Sequence, residues 1–143
     1  MGCDIHIAVE ENTPHGWLPV RLMYSFHRKI WDADKNGLDG FSSPAVCERH
    51  YTFFAALAGV RGHGPKARGW PDDINPATRY FLERHGGDHT PSWYPLAEFC
   101  KIWRDIESPA DEFTQKYPAT HLFMIDSADE NAGRFRVLFN FDS

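Results

Sequence analysis

The stretch Met1-Gly2-Cys3-Asp4-Ile5-His6-Ile7-Ala8-Val9-Glu10 decides the fold. From Asp4 to Glu10 polar and apolar residues alternate with the two-residue period of a β-strand. Ile5, Ile7 and Val9 form one apolar face. Asp4, His6 and Glu10 share the other, with only Ala8 between them. Asp and His two apart on a strand set a carboxylate beside an imidazole, a spacing that suits metal ligation or proton sharing. The same pattern also serves an antiparallel strand whose polar face simply meets water. The motif stands so early that no targeting segment or tail is expected ahead of it.

Working outward, Glu11 to Gly16 has turn chemistry, and Trp17-Leu18-Pro19-Val20-Arg21-Leu22 reads as a returning strand, with Pro19 marking it as an edge. The other end mirrors this. Thr120 to Ile125 and Arg134 to Phe141 form a second hairpin around a turn at 127–133, with Phe135, Val137, Phe139 and Phe141 alternating. Helices lie between. Ser43-Pro44 caps one over about 44–58, with Phe53, Phe54, Leu57 and Ala58 on its apolar stripe and Gly59 ending it. Asn75-Pro76 opens a short helix closed by Gly86-Gly87, and Leu96, Phe99, Ile102 and Trp103 mark one over about 95–106. Ser108-Pro109 starts a last short one, ended by Tyr117-Pro118. The expected class is α+β, a single domain over 1–143. Its sheet is mostly antiparallel, built from the N- and C-terminal hairpins, with three to four helices between them packed on one face. Both termini then enter one sheet, with Asp4 and His6 in or near its centre.

Composition narrows the function. The 143 residues are enough to bury a core, and five Trp with eleven Phe make it rich in rings. A net charge of −5 argues against general nucleic-acid binding and against an anionic membrane surface. Cys3, Cys47 and Cys100 are scattered and form no CxxC pair, as suits a reducing cytoplasm. With no signal peptide and no long apolar run, the expected location is the cytoplasm.

Three further stretches carry chemistry. Asp32-Ala33-Asp34-Lys35-Asn36-Gly37 matches the first half of a calcium loop, but its twelfth position is Ser43 instead of Glu, so a polar turn is the better reading. The Gly- and Pro-rich loop 60–75 gathers Arg61, Lys66 and Arg68 beside Trp70, the ingredients for gripping a phosphate and stacking a base. Asp88-His89-Thr90-Pro91-Ser92-Trp93 is a second polar-aromatic loop.

Met1 to His6 with Glu10, and Gly16-Trp17 after the turn, resemble a family of small, largely uncharacterised bacteriophage and prophage proteins. The likeness continues through Arg49-His50-Tyr51, Phe53 to Arg61, Arg68 to Asp73 (the family more often has Leu before Pro71) and Gly87 to Trp93. In the last of these the family reads His-Ser-x-Ser-Trp, so Thr90 replaces a Ser. The match spans roughly residues 1–100 and implies a phage source, hence the host cytoplasm, and a set of candidate site residues. It implies no reaction.

Folding the two loops over the polar face of the first strand would make one pocket with Trp70 and Trp93 as walls. The first functional expectation is a metal-dependent hydrolase of a phosphodiester or nucleotide-like substrate. Asp4, His6, His89 and Asp88 would hold one divalent ion, and His6, His89 and Asp72 would be the catalytic groups. Glu10, Arg61, Arg68, Asp73 and Ser92 would contact the ligand together with the two Trp. The second is a binding module that sequesters a host nucleotide signal without metal, in a pocket completed by a homo-oligomer interface. The third is a virion or host-interaction protein in which these residues serve the fold. An acidic pocket favours the first, because a divalent cation inverts its local charge.

Overall fold

The computed structural model describes residues 2–20, 51–84, 86–106 and 132–142. The alternating opening stretch is strand β1, Ile5–Thr13, and it turns through Pro14 and His15 into β2, Gly16–Val20. Gly16 takes a φ of 95°, the left-handed conformation that a tight turn asks of glycine. Among the described residues three helices follow: α1, Tyr51–Ala58; α2, Pro76–Arg84; and α3, Leu96–Ile106. Strand β3, His89–Pro95, runs directly into α3, and a short 3-10 turn, Ala132–Arg134, leads into β4, Phe135–Phe141.

The four strands form one antiparallel sheet in the order β2-β1-β4-β3. The chain is therefore α+β, and the strands from its two ends lie side by side at the sheet's centre, with Ile5 opposite Phe141 and Glu11 opposite Phe135. The end of helix 44–58, helices 76–84 and 95–106 and strand 134–141 lie within a residue or two of the expected bounds. The expected strand 120–125, the short helix after Ser108 and the Asp32–Gly37 turn lie outside the described residues. The stretch Asp88–Trp93 differs from its reading as a loop, because all of it but Asp88 belongs to β3. It is an edge strand whose register against β4 shifts between His89 and Ser92, where Thr90 takes a φ of 56°. A bulge lets a Pro-containing segment join the ladder at an edge.

The helices also divide between the two faces. Ile5, Ile7 and Val9 of β1 pack with Val137, Phe139 and Phe141 of β4 against Phe53, Phe54 and Leu57 of α1 and Phe99 and Trp103 of α3. Phe53 sits edge-on to both Phe99 and Trp103, 5.4 and 4.7 Å between ring centres, so the two helices interlock through rings. Helix α2 does not join them. Its Phe81 and Leu82 cover Ala8 and Leu138 on the opposite face, with Trp70, Ile74 and Trp93 packed around. All seven residues of β4 are consequently buried, as befits a strand covered on both sides. No helix among the described residues is long and apolar enough to cross a membrane.

Candidate functional site

The face beneath α2 is where the polar side of β1 points; Ala8 and Glu10 are buried there, and Asp4 and His6 are half-buried. Glu10 is fully buried and lies directly across from Arg136, itself 3% exposed. Arg136 Nε and Nη2 donate to Glu10 Oε1 at 2.9 and 2.7 Å, and Nη1 donates to Asp73 Oδ1 at 2.7 Å. Its guanidinium lies 4.0 Å from the centre of the Trp17 ring and 5.7 Å from that of Trp93. The other Glu10 oxygen accepts the Asn75 N–H at 3.0 Å, and Asn75 Oδ1 accepts the Ala77 N–H in the first turn of α2. One buried arginine thus fastens the loop 70–75 and the start of α2 to the sheet. Glu10 and Asp73, expected to touch ligand, belong to this anchor.

The hydrogen bond from Arg136, aided by its charge, holds the Asp73 carboxyl below its ordinary value; partial burial opposes this. A carboxyl depressed in the folded state stabilises at neutral pH, and that contribution fades as pH falls through the depressed value. The advantage in urea unfolding midpoint that the wild type holds over Asp73→Asn at pH 7 should therefore narrow progressively as the pH falls below the ordinary carboxyl value of 3.8.

His6 lies on this same face, opposite Asn140. Its Nε2 is 2.7 Å from Asp142 Oδ2, while Asp142 Oδ1 accepts the Asp4 N–H at 2.9 Å. Asn140 closes the adjacent turn, accepting the Gly87 N–H and donating to the carbonyls of Leu82 and Gly87. His89 lies elsewhere. It pairs with Phe141 in the register, its ring stacks on that Phe at 6.2 Å, and its Nδ1 is 2.8 Å from Thr90 Oγ1. Phe141 belongs to the face that carries Ile5, so His6 and His89 sit on opposite sides of the sheet. Asp88 is exposed, with its backbone N–H on Phe141 O, and Asp72 is exposed in the turn before α2. The expected ligand set Asp4, His6, His89 and Asp88 does not fit one ion. Among the described residues no group of three or more His, Cys, Asp or Glu could hold a metal. Nor are His6, His89 and Asp72 brought together as an acid–base set.

The loop 65–70 lies along the free edge of β3. Arg68 N–H donates to the buried Ser92 hydroxyl at 3.0 Å, and Gly69 N–H to Pro91 O at 3.0 Å. The Arg68 guanidinium lies 4.2 Å from the centre of the Tyr94 ring and 5.6 Å from that of Trp93, and bonds Glu98 at 3.2 Å. Trp70 donates its indole N–H to Glu83. Arg68, Trp70, Ser92 and Trp93 are thus neighbours at the sheet's edge, Ser92 and Trp93 within β3 and Arg68 and Trp70 in the loop beside it. Tyr94 on the other face donates to Leu57 O, and burial pushes its hydroxyl pKa up.

Arg61 is apart from all of these. The loop after α1 turns back on the helix, with the Gly59 N–H on Ala55 O at 2.8 Å, and the approach is so close that a side chain on Gly64 would meet that same carbonyl. Here lies an open pocket of about 450 Å³. Its floor is the outer side of α1 (Thr52, Ala55 and Ala56), and Ile106 closes it from α3. Tyr51, Arg61 and His63 supply a ring, a cation and an imidazole, with Arg61 5.2 Å from the centre of the Tyr51 ring. Arg61 has a φ of 59°. A non-glycine residue in the left-handed region costs on the order of 1–3 kcal/mol, and such strain concentrates at ligand-holding sites.

No family model, curated protein or solved structure matches this chain. The geometry sorts the candidate residues. It leaves one of the expected ligand residues, Arg61, facing a cavity, and adds Tyr51 and His63, which the sequence reading did not single out. Tyr51 stands at the head of α1, and its spacing to Arg61 follows from the length of the helix and the tightness of the Gly59 turn.

Proposed function

We propose that this chain is a binding protein for a small nucleotide-like ligand, held without chemistry in the pocket between α1, the 59–64 loop and the end of α3. One observation carries the reading: Arg61 is kept in a strained backbone conformation that sets its guanidinium beside Tyr51 at the rim of that cavity. Glycine at 61 would relieve the strain, so the arginine carries a backbone cost that its side-chain contacts must offset. An aromatic ring beside a cation is the pairing that takes a base and a phosphate together. The resemblance of residues 1–100 to phage and prophage proteins would make the ligand a host nucleotide signal and the protein its sequestering agent in the host cytoplasm.

Arg61→Gly is the informative variant. It trades the strain and the Tyr51 contact against the greater freedom of glycine in the unfolded chain, so its stability should stay within about 1 kcal/mol of the wild type. Binding should be lost. A thermal-shift screen of both proteins against nucleosides, nucleotides and cyclic dinucleotides, with and without chelator, measures this. Ligand recovered unchanged after heating supports sequestration. Conversion to product, abolished by chelator, would replace this reading with the hydrolase.

A further inference from the structure

Resting on the reading that the pocket beside α1 takes a ligand, we infer that the Tyr94 hydroxyl is a positioning group for it. From β3 this hydroxyl pins the last turn of α1, and so sets where the 59–64 loop stands over the pocket's floor. The need arises in the helix. The last four carbonyls of an α-helix have no bond partner within it. Leu57 is one residue from the end of α1 and fully buried, so its carbonyl cannot turn to water as it would at an exposed helix end. The Tyr94 hydroxyl donates to it across the core.

The donor is itself fixed. Tyr94 is 3% exposed, and its ring stacks on that of Phe139, 6.0 Å between centres and 11° from parallel. The Arg68 guanidinium lies on the ring at 4.2 Å. Burial raises the hydroxyl pKa, so the donated proton stays in place at neutral and mildly alkaline pH. Strand β3 also holds the far end of the loop, through Ser92 to the Arg68 N–H and Pro91 O to the Gly69 N–H. The span 59–69, with Arg61 and His63, is therefore tied to one strand at both ends. At the near end the Gly59 N–H returns to Ala55 O, and Gly64 closes on that same carbonyl, so the loop follows the last turn of α1. Tyr51 and Thr52 stand at the other end of that helix, and Ile106 on α3. A shift of the last turn thus moves Arg61 and His63 against the rest of the lining.

Tyr94→Phe removes the hydroxyl and keeps the ring. Leu82→Val, a small core change beneath α2 on the opposite face, is the control for stability. The test is amide hydrogen exchange of the full chain, with affinities measured in parallel for a panel of nucleosides, nucleotides and cyclic dinucleotides. In Tyr94→Phe the amides of Leu57, Ala58 and Gly59 should exchange at least about tenfold faster, beyond any change at Val137 and Leu138 in β4. The panel member that binds the wild type should bind Tyr94→Phe at least about tenfold more weakly, and Leu82→Val as before. Exchange that rises equally in α1 and β4 overturns the inference, since the hydroxyl would then stabilise the fold without placing the loop. Affinity in Tyr94→Phe equal to the wild type overturns it too, and leaves the pocket standing. If no panel member binds the wild type, the pocket reading fails and takes the inference with it.

Discussion

Arg136→Ala should lower the stability of this protein by about 3–5 kcal/mol, because it leaves a buried carboxylate without its counter-charge. Glu10 is fully buried, and Arg136 makes two of its close contacts, at 2.7 and 2.9 Å. Among the described residues Glu10 also accepts the Asn75 N–H, which stabilises the carboxylate but does not neutralise it. Removing the arginine also uncouples Asp73 and strips the cation from the Trp17 ring. The asymmetry within the network is itself a prediction. Glu10→Ala should cost nearly as much, since Arg136 would then be buried with only one carboxylate. Asp73→Ala should cost far less, because that side chain is 65% exposed and water screens and replaces what it offers. The double substitution Glu10→Leu with Arg136→Leu should recover much of the loss, as paired apolar residues often do in place of a buried ion pair. Urea denaturation of the four variants measures this cycle. A cost under about 1 kcal/mol for Arg136→Ala would mean the pair is wet and that α2 is held by its apolar contacts alone.

That network shows where the sequence was legible and where it was not. The period of β1 names the face of each residue, so Ile5, Ile7 and Val9 could be assigned to a core from alternation alone. What alternation cannot reveal is whether the second face is covered. In β4 the run Phe135, Val137, Phe139, Phe141 invites the reading that Arg136, Leu138 and Asn140 face water; α2 covers Leu138 and Asn140, and the loop before it covers Arg136. Arg136 was therefore missed as the partner of Glu10, although the two lie 126 residues apart in the chain and face each other across the central pair of strands. His6 was recognised and its partner was not, because Asp142 reads as part of a tail until β4 brings it beside β1. The strand His89–Pro95 is hidden by its own composition, since Asp88 and Pro91 are loop signals, and the bulge with its left-handed Thr90 that lets this segment pair is not written in residue types. Candidate site residues were found by type, and type is shared by anchors and ligand contacts. Of the loop cations, Arg68 covers an edge and Arg61 faces a cavity, a difference that only the packing of the Gly59 turn decides.

The packing of that turn gives the second large effect, expected for Gly64→Ala. A Cβ on Gly64 would stand 1.8 Å from the Ala55 carbonyl oxygen and 2.8 Å from its carbon, both backbone atoms in α1. No rotamer can relieve such a contact, so the loop must move off the helix. Overpacking of this kind typically costs about 1–3 kcal/mol. It should also abolish ligand binding, because Arg61 and His63 ride on the displaced loop while Thr52, Ala55 and Ala56 stay with α1. Gly69→Ala is the matched control. Gly69 has a φ of 76° with nothing within 4 Å of its absent Cβ, so the substitution strains only its own backbone, by about 1–2 kcal/mol. Its neighbours lie on the β3 edge, away from the pocket, and binding should be untouched. Comparable destabilisation by the two variants with loss of binding in Gly64→Ala alone would tie recognition to the contact between the 59–64 loop and α1. Binding retained by a folded Gly64→Ala protein would show that the loop does not form the site.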